Sequence, residues 1–431
     1  MKLLIRNGYV CDPGTDLSGK RDILIEDGKI KKIAPMGNIS DPEAEVFDAT
    51  DLIVAPGLVD DHVHFRDPGF THKEDIFTGA KAAAKGGFTS VIMMANTKPT
   101  IDNAETLRYC LDKGLQTDIN VYACANVTLG MKGEEITDMK NLKKMGAVGF
   151  TDDGIPLKNG ELVKEAMKKA KALDVPLSFH EEDPALIENN GVNRGKASEY
   201  FGIGGSPREA EVSLVKRDLE LALETGACIE IQHISAKETV DLIREALDKG
   251  VNVHAEVTPH HFSLTEEAVI KHGTNAKMNP PLRTEADRLA LIEGLRDGVI
   301  DIIATDHAPH AKEEKDKPIT EAPSGIIGLE TSLSLGITNL VNEGYLSMKE
   351  LIKKMSTNPA DLYNIDAGYI AEGGPGDLCI FDPLKRWVPI EYASKSSNTP
   401  FTGTELCGKV IATVARGVIV YTAENYEEDC L

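Results

Sequence analysis

The stretch Leu58-Val59-Asp60-Asp61-His62-Val63-His64 decides the fold. It begins as a short apolar run and ends with two imidazoles. In an extended chain, side chains two apart share a face, so His62 and His64 point the same way. The arrangement recurs along the sequence. His180 follows Leu177-Ser178-Phe179, and His233 follows Ile229-Glu230-Ile231-Gln232. Asp306 follows Ile302-Ile303-Ala304-Thr305, and Thr151-Asp152-Asp153-Gly154 follows Ala147-Val148-Gly149-Phe150. Each polar group stands where an apolar run gives way to a loop. In a closed parallel barrel those strand ends converge on one face.

Working outward, further short runs complete a set. Ser90-Val91-Ile92-Met93-Met94, Ile119-Asn120-Val121-Tyr122 and Val251-Asn252-Val253-His254 join the five above to give eight. Helical patterns fill the gaps between them. Ser235-Ala236-Lys237-Glu238 and Ser347-Met348-Lys349-Glu350 read as capping boxes, in which Ser accepts from the third helical amide and Glu reaches back. Val240, Ile243 and Leu247 make the apolar stripe behind the first box, and Gly250 ends it. Ser206-Pro207 predicts another helix start by cap and first-turn proline. Eight strand-helix units predict an α/β fold, a (β/α)8 TIM barrel, over residues 56–365.

The flanks read differently. Leu3-Leu4-Ile5 leads into Asn7-Gly8, and Asp22-Ile23-Leu24-Ile25 leads into Asp27-Gly28. Asx-Gly pairs between apolar runs are hairpin signals. The last sixty residues carry similar runs, such as Val410-Ile411-Ala412-Thr413-Val414 and Val418-Ile419-Val420-Tyr421. Residues 1–55 and 366–431 are therefore expected to form one small β-sandwich domain from both termini. The Gly-rich pieces Gly202-Ile203-Gly204-Gly205 and Gly373-Gly374-Pro375-Gly376 lack the Lys and spacing of a phosphate loop and read as turns.

Composition narrows the function. The 431 residues carry a formal net charge of -22, which argues against nucleic acid and acidic membranes as partners. A small anionic substrate is compatible with that charge, because an arginine and bound cations reverse the field locally. The seven cysteines, at 11, 110, 124, 228, 379, 407 and 430, form no C-x-x-C pair, and no secretory leader precedes them. A disulfide framework is not expected, and the expected location is the cytoplasm. No apolar run reaches membrane-spanning length.

His62, His64, His180, His233, Asp153 and Asp306 are mixed nitrogen and oxygen donors that suit zinc. A single histidine is more often a satisfied buried residue than a ligand, but the same placement on several strands outweighs that reading. Spacing leaves Asp152 and Asp153 as alternatives. An unpaired carboxylate at the end of a buried strand, as at Asp306, is costly without a cation or a proton. Metal binding brings water's pKa to ~7, which points to hydrolysis of an amide-like bond or its reverse.

Pro56-Gly57-Leu58-Val59-Asp60-Asp61-His62-Val63-His64-Phe65-Arg66-Asp67-Pro68-Gly69 resembles the opening motif of the dihydroorotase family of cyclic amidohydrolases. Met93-Met94-Ala95-Asn96-Thr97, Thr258-Pro259-His260-His261, Lys277-Met278-Asn279-Pro280-Pro281-Leu282-Arg283 and Ala304-Thr305-Asp306-His307-Ala308-Pro309-His310 are similar to its other motifs. The resemblance implies reversible cyclisation of N-carbamoyl-L-aspartate to L-dihydroorotate in de novo pyrimidine biosynthesis. It implies two zinc ions bridged by Asp153, one held by His62, His64 and Asp306 and the other by His180 and His233. Asp306 would be the general acid and base. Arg66, Asn96 and His310 would bind the substrate carboxylate, with His64 also in contact with substrate. Asn279 and the backbone of Ser324-Gly325 would hold the ring. Many relatives carry Phe where this chain has Ser324, and some bridge the ions with a carboxylated Lys where this chain has Asp153. The expected assembly is a homodimer, with aspartate transcarbamoylase as the candidate protein partner.

The polar segment from Ala311 to Pro323 follows Asp306 and His310 and is expected to act as a flap over the site. The nearest competing reading is another cyclic-amide hydrolase, such as hydantoinase, dihydropyrimidinase or allantoinase. A competitor of a different class is a non-catalytic barrel that scaffolds a partner enzyme, and retention of the whole donor set argues against it.

Overall fold

A computed structural model describes residues 1–423. Cys430 lies outside the described residues, and the other six cysteines are free thiols. The chain opens with β1 (Lys2–Cys11), β2 (Ser18–Glu26), β3 (Lys29–Pro35), β4 (Glu45–Asp48) and β5 (Ile53–Pro56). Asp27-Gly28 makes the expected tight turn, with Glu26 paired to Lys29 across it. Asn7-Gly8 does not. β1 runs straight through it and the register shifts between Ile5 and Gly8, leaving a bulge with Asn7 at φ 64°. The reason is contact, not turning: a Cβ on Gly8 would sit 2.4 Å from Val54 Cγ2.

Eight parallel strands follow: β6 (Leu58–Val63), β7 (Phe88–Met93), β8 (Asn120–Ala123), β9 (Phe150–Thr151), β10 (Leu177–Phe179), β11 (Ile229–Ile231), β12 (Val253–Val257) and β13 (Ile302–Ile303). Each contains part of one of the eight apolar runs. They pair in the order β6-β7-β8 and β9-β10-β11-β12-β13. Parallel bridges Ala125–Phe150 and Val63–His307 close the two seams. The second seam is reinforced by His64 N–H donating to His307 O at 2.9 Å. Asp60 also spans it, with Oδ1 accepting from the amides of His62 and Thr305. The barrel core is built from buried aliphatic and aromatic side chains, among them Phe88, Val91, Phe150, Ile229 and Ile303.

β14 (Leu378–Trp387), β15 (Leu406–Ala415) and β16 (Val418–Thr422) return to the first strands. β14 pairs antiparallel with β5, from Leu378–Pro56 to Phe381–Ile53, so both ends of the chain share one eight-stranded sheet. Its core gathers Leu3, Ile5, Ile23, Val54, Ile380 and Ile411. No helix among the described residues is long and apolar enough to cross a membrane.

Two helix starts differ from expectation. Helix Lys237–Asp248 begins at Ala236 with no side-chain cap, because Ser235 donates its hydroxyl to buried Glu211 instead. Helix Arg208–Thr225 begins at Pro207, and Ser206 Oγ donates to Glu182 Oε1 at 2.7 Å. Glu211 also accepts from the amides of Ser235 and Ala236 and from Thr239 Oγ1, so in both places a buried carboxylate outcompetes the helix end for the nearest hydroxyl. Ser347 forms the capping box that its sequence predicts.

Candidate metal centre and active site

Three site residues leave their strands with backbone in the left-handed region: Arg66 at φ 60°, His233 at φ 30° and Asp306 at φ 46°. Such conformations are disfavoured for residues with a Cβ and persist only where surrounding structure imposes them. The sharp turn at each strand tip aims the side chain across the barrel mouth.

Asp153 is the hub. Its Oδ1 lies 3.5 Å from His62 Nε2, 3.7 Å from His180 Nδ1 and 3.8 Å from His233 Nε2, and its Oδ2 lies 3.5 Å from His64 Nε2. Asp306 Oδ1 is 3.0 Å from His64 Nε2 and 3.6 Å from His62 Nε2. Asp152 points elsewhere: its carboxylate accepts from the amides of Val127 and Thr128 and from Asn126 Nδ2. Adjacent aspartates thus divide the work, one fastening the loop after β8 and the other facing the imidazoles.

The donors form two sets of close ligand atoms, His62–His64–Asp153 and Asp153–His180–His233, sharing the one carboxylate. All are buried. His62 Nε2 has no hydrogen-bond partner although it is inaccessible to solvent. Its other nitrogen, Nδ1, is 2.6 Å from Glu256 Oε1. That contact places the proton on Nδ1 and leaves the Nε2 lone pair aimed at the centre, the arrangement of a metal-ligating histidine. His180 Nδ1 and His233 Nε2 face each other at 3.0 Å beside Asp153. This crowd of lone pairs and carboxylates fits divalent cations.

Electrostatics show what the residues do for one another. Burial pushes the Asp153 carboxyl up, but His62, His233 and His64 together hold it well below the usual carboxylate range. Asp306 behaves alike: burial raises it, while the His64 bond and the charges of His62 and His64 bring it down and keep it ionised. Burial lowers the His62 imidazole, yet Glu256 and Asp153 lift it well above the ordinary histidine value, so the two carboxylates draw positive charge to Nε2, and a cation bound there would take the place of that second proton. His180 is pulled down to about 3 by burial and by His233.

A cavity of about 190 Å³ opens over the donors. Arg66 sits on its rim with Nε donating to Pro309 O at 3.2 Å and Nη2 at 3.4 Å from His310 Nε2. Asn279, Ser324 and Gly325 also line the cavity. Asn279 Nδ2 is 3.3 Å from His180 Nε2. Asn96 also lines the cavity, but its amide already serves the centre: Nδ2 donates to Asp153 Oδ2 at 3.0 Å and Oδ1 is 3.0 Å from His64 Nδ1.

A family profile described as Dihydro-orotase-like matches residues 51–239. A dihydroorotase of Clostridioides difficile is 56% identical over 421 residues, covering 98% of this chain and 100% of that one. A dihydroorotase of Clostridium acetobutylicum is 53% identical, covering 97% and 99%. The chain belongs to the dihydroorotase family. Its fold is also that of the L-hydantoinase (dihydropyrimidinase) from Arthrobacter aurescens, with a TM-score of 0.87 at 25% identity over 97% of this chain and 96% of that one. The dihydropyrimidinase from Brevibacillus agri NCHU1002 shares the fold at a TM-score of 0.86 and 24% identity, over 98% and 95%.

Sequence reading passed over Glu256 in this dihydroorotase-family centre. Its Oε1 receives both His62 Nδ1 and the His233 amide, the latter at 2.7 Å, so one carboxylate orients residues from two strands. A signal was present: an acid inside the buried strand β12 is expensive unless it is paired. The segment after His310 is also more firmly tied than its composition suggests. Lys315 is buried, and its Nζ donates to Pro323 O and Gly325 O.

Proposed function

We propose that this dihydroorotase-family chain catalyses the reversible cyclisation of N-carbamoyl-L-aspartate to L-dihydroorotate, with zinc at the Asp153-centred donor set. The observation that carries the reading is a shared carboxylate between two imidazole sets, beneath a cavity rimmed by Arg66 and His310. In this reading, His62, His64 and Asp306 would hold one ion and His180 and His233 a second, with Asp153 shared by the two donor sets. Zinc bound there would supply Lewis acidity and water activation near neutral pH.

The chain's own groups do the rest. Arg66 offers a planar fork of donors to the substrate carboxylate, a geometry that Lys does not reproduce. His310 completes that subsite, and Asn96 borders it while its amide holds Asp153 and His64. Asn279 and the Ser324-Gly325 backbone grip the ring and fix its orientation over Asp306. In ring opening, Asp306, held ionised by His64 and His62, takes a proton from the water whose oxygen bonds to the ring amide carbon. It returns that proton to the ring nitrogen as the amide opens, and the order reverses on closure. We assign residues 56–365 to the catalytic barrel and 1–55 with 366–431 to the accessory β domain. The reading includes a homodimer, with aspartate transcarbamoylase as partner, which sedimentation of the chain alone and mixed with that enzyme tests.

The deciding assay follows dihydroorotate absorbance with metal content determined on the same sample, beside hydantoin, dihydrouracil and allantoin. The expected result is turnover of dihydroorotate far above the other three. Preference for any of the others would replace this reading.

A further inference from the structure

Ser324 and Gly325 line the active-site cavity at the end of the turn Ala322–Gly325, each of whose four carbonyl oxygens is held by a side chain. Lys277 Nζ donates to Ala322 O at 2.7 Å. Lys315 Nζ donates to Pro323 O at 2.8 Å and to Gly325 O at 3.0 Å. His310 Nε2 lies 2.8 Å from Ser324 O. The Gly325 amide returns the contact by donating to Lys277 O at 2.8 Å. The turn is thus fastened from both sides by Lys277, two residues before Asn279, and by Lys315, on the short helix Lys312–Lys315.

Both lysines are buried, at 5% and 4% exposure, and neither makes an ion pair among the described residues. Glu314, the acid next to Lys315, pairs with Lys73 and His310 instead, and a buried ammonium outside any ion pair is costly, so stability alone would favour an apolar residue or an added acid. Burial, with Lys277 nearby, pulls Lys315 down to about 7, a measure of that cost. Positive charge that burial disfavours on both lysines behind a substrate wall suits a ligand that brings negative charge. The fixed carbonyls also hold the turn's peptide planes in one orientation before the ligand arrives, which lowers the ordering cost of binding.

We propose that Lys277 and Lys315 are positioning residues for an anionic cyclic amide: they lock the Ala322–Gly325 turn in its ring-binding geometry and bias the pocket toward negatively charged ligands. The proposal rests on the activity assigned above. It goes beyond that assignment by giving ligand selection to residues that do not touch the ligand.

The test is steady-state kinetics of full-length, zinc-loaded Lys315→Met and Lys277→Met with dihydroorotate. Zinc per chain and thermal melting are recorded for each protein. Loss of charged hydrogen bonds to the turn is expected to raise KM about 10- to 100-fold. The turnover number should change by no more than about threefold, with zinc content unaltered, because neither lysine reaches the reacting atoms. A KM within about twofold of the parent in both variants, or a loss confined to kcat, overturns the proposal. If Lys315→Met does not fold, Lys277→Met is judged by the same criterion. Failure of both to fold makes the pair part of the core and overturns the proposal as well. A zinc-loaded parent that leaves dihydroorotate untouched refutes the activity and the proposal together, whereas an active parent with unmoved variants refutes the proposal alone.

Discussion

Asp153 and Asp306 at the barrel mouth are held ionised, while Asp61 and Glu230, further back along the strands that carry His62 and His233, are pushed toward the protonated form. All four are buried, so burial does not separate them. Partners do. The mouth carboxylates face imidazoles within 4 Å. Asp61 faces Glu230, and with Glu230 and Glu256 it forms a cluster of three acids. Glu230 rises to about 7 through burial and the charge of Glu256, despite hydroxyl donors from Ser178 and Tyr363. The lesson is that one barrel maintains charged and neutral carboxyls side by side, and His62 with Glu256 forms the boundary between them.

The largest effect expected is at the mouth. Chelation of metal should abolish dihydroorotate turnover, and zinc should restore it, as read by activity and metal content before and after dialysis. Persistent turnover in metal-free protein would remove the distinction between the two regions. Asp306→Asn should fold normally by circular dichroism and lose about 10²–10⁴-fold in both reaction directions, since the group proposed as general acid and base disappears. Near-parental turnover there takes Asp306 out of proton transfer.

At the boundary, Glu256→Gln should weaken zinc binding by about 10–100-fold, because the carboxylate that orients His62 and the His233 amide is lost. A metal titration with a competing chelator reads this, and unchanged affinity would show that His62 needs no such support.

Further back, the smallest effect is a gain. The folded-state pKa of Glu230 is raised, so its protonated form favours folding below the ordinary glutamate value of 4.5, and that contribution is lost as pH climbs through about 7. Glu230→Gln keeps the carbonyl oxygen for Ser178 and Tyr363 and supplies an amide toward Asp61. At pH 8 it should be more stable than the parent by about 1 kcal/mol, with little difference at pH 4. Denaturant melts at the two pH values decide it, and a variant less stable at pH 8 would mean that Glu230 is ionised and paired in the native chain.

Much of this arrangement was legible in the chain because strand ends announce themselves. An apolar run that stops at His or Asp marks both a barrel strand and the residue that its tip presents, which is how His62, His64, His180, His233, Asp153 and Asp306 came into view. Contacts between distant segments were not legible. Ser235 and Ser206 carry good capping signals, yet Glu211 and Glu182 take their hydroxyls from far along the sequence. Asn7-Gly8 carries a good hairpin signal, yet Val54 needs the space that only a glycine leaves. In each case a tertiary contact outweighs a local preference worth about 1 kcal/mol.

The sequence by itself determined the eightfold alternation, the class of donor at each strand tip and the family, because periodicity and residue chemistry are local properties. Only the tertiary structure decided that Asp152 fastens the loop after β8, that Glu256 braces two strands, and that Lys277 and Lys315 close on one turn. Those outcomes depend on which distant groups share a dry interior, where every buried charge must find its partner across the fold.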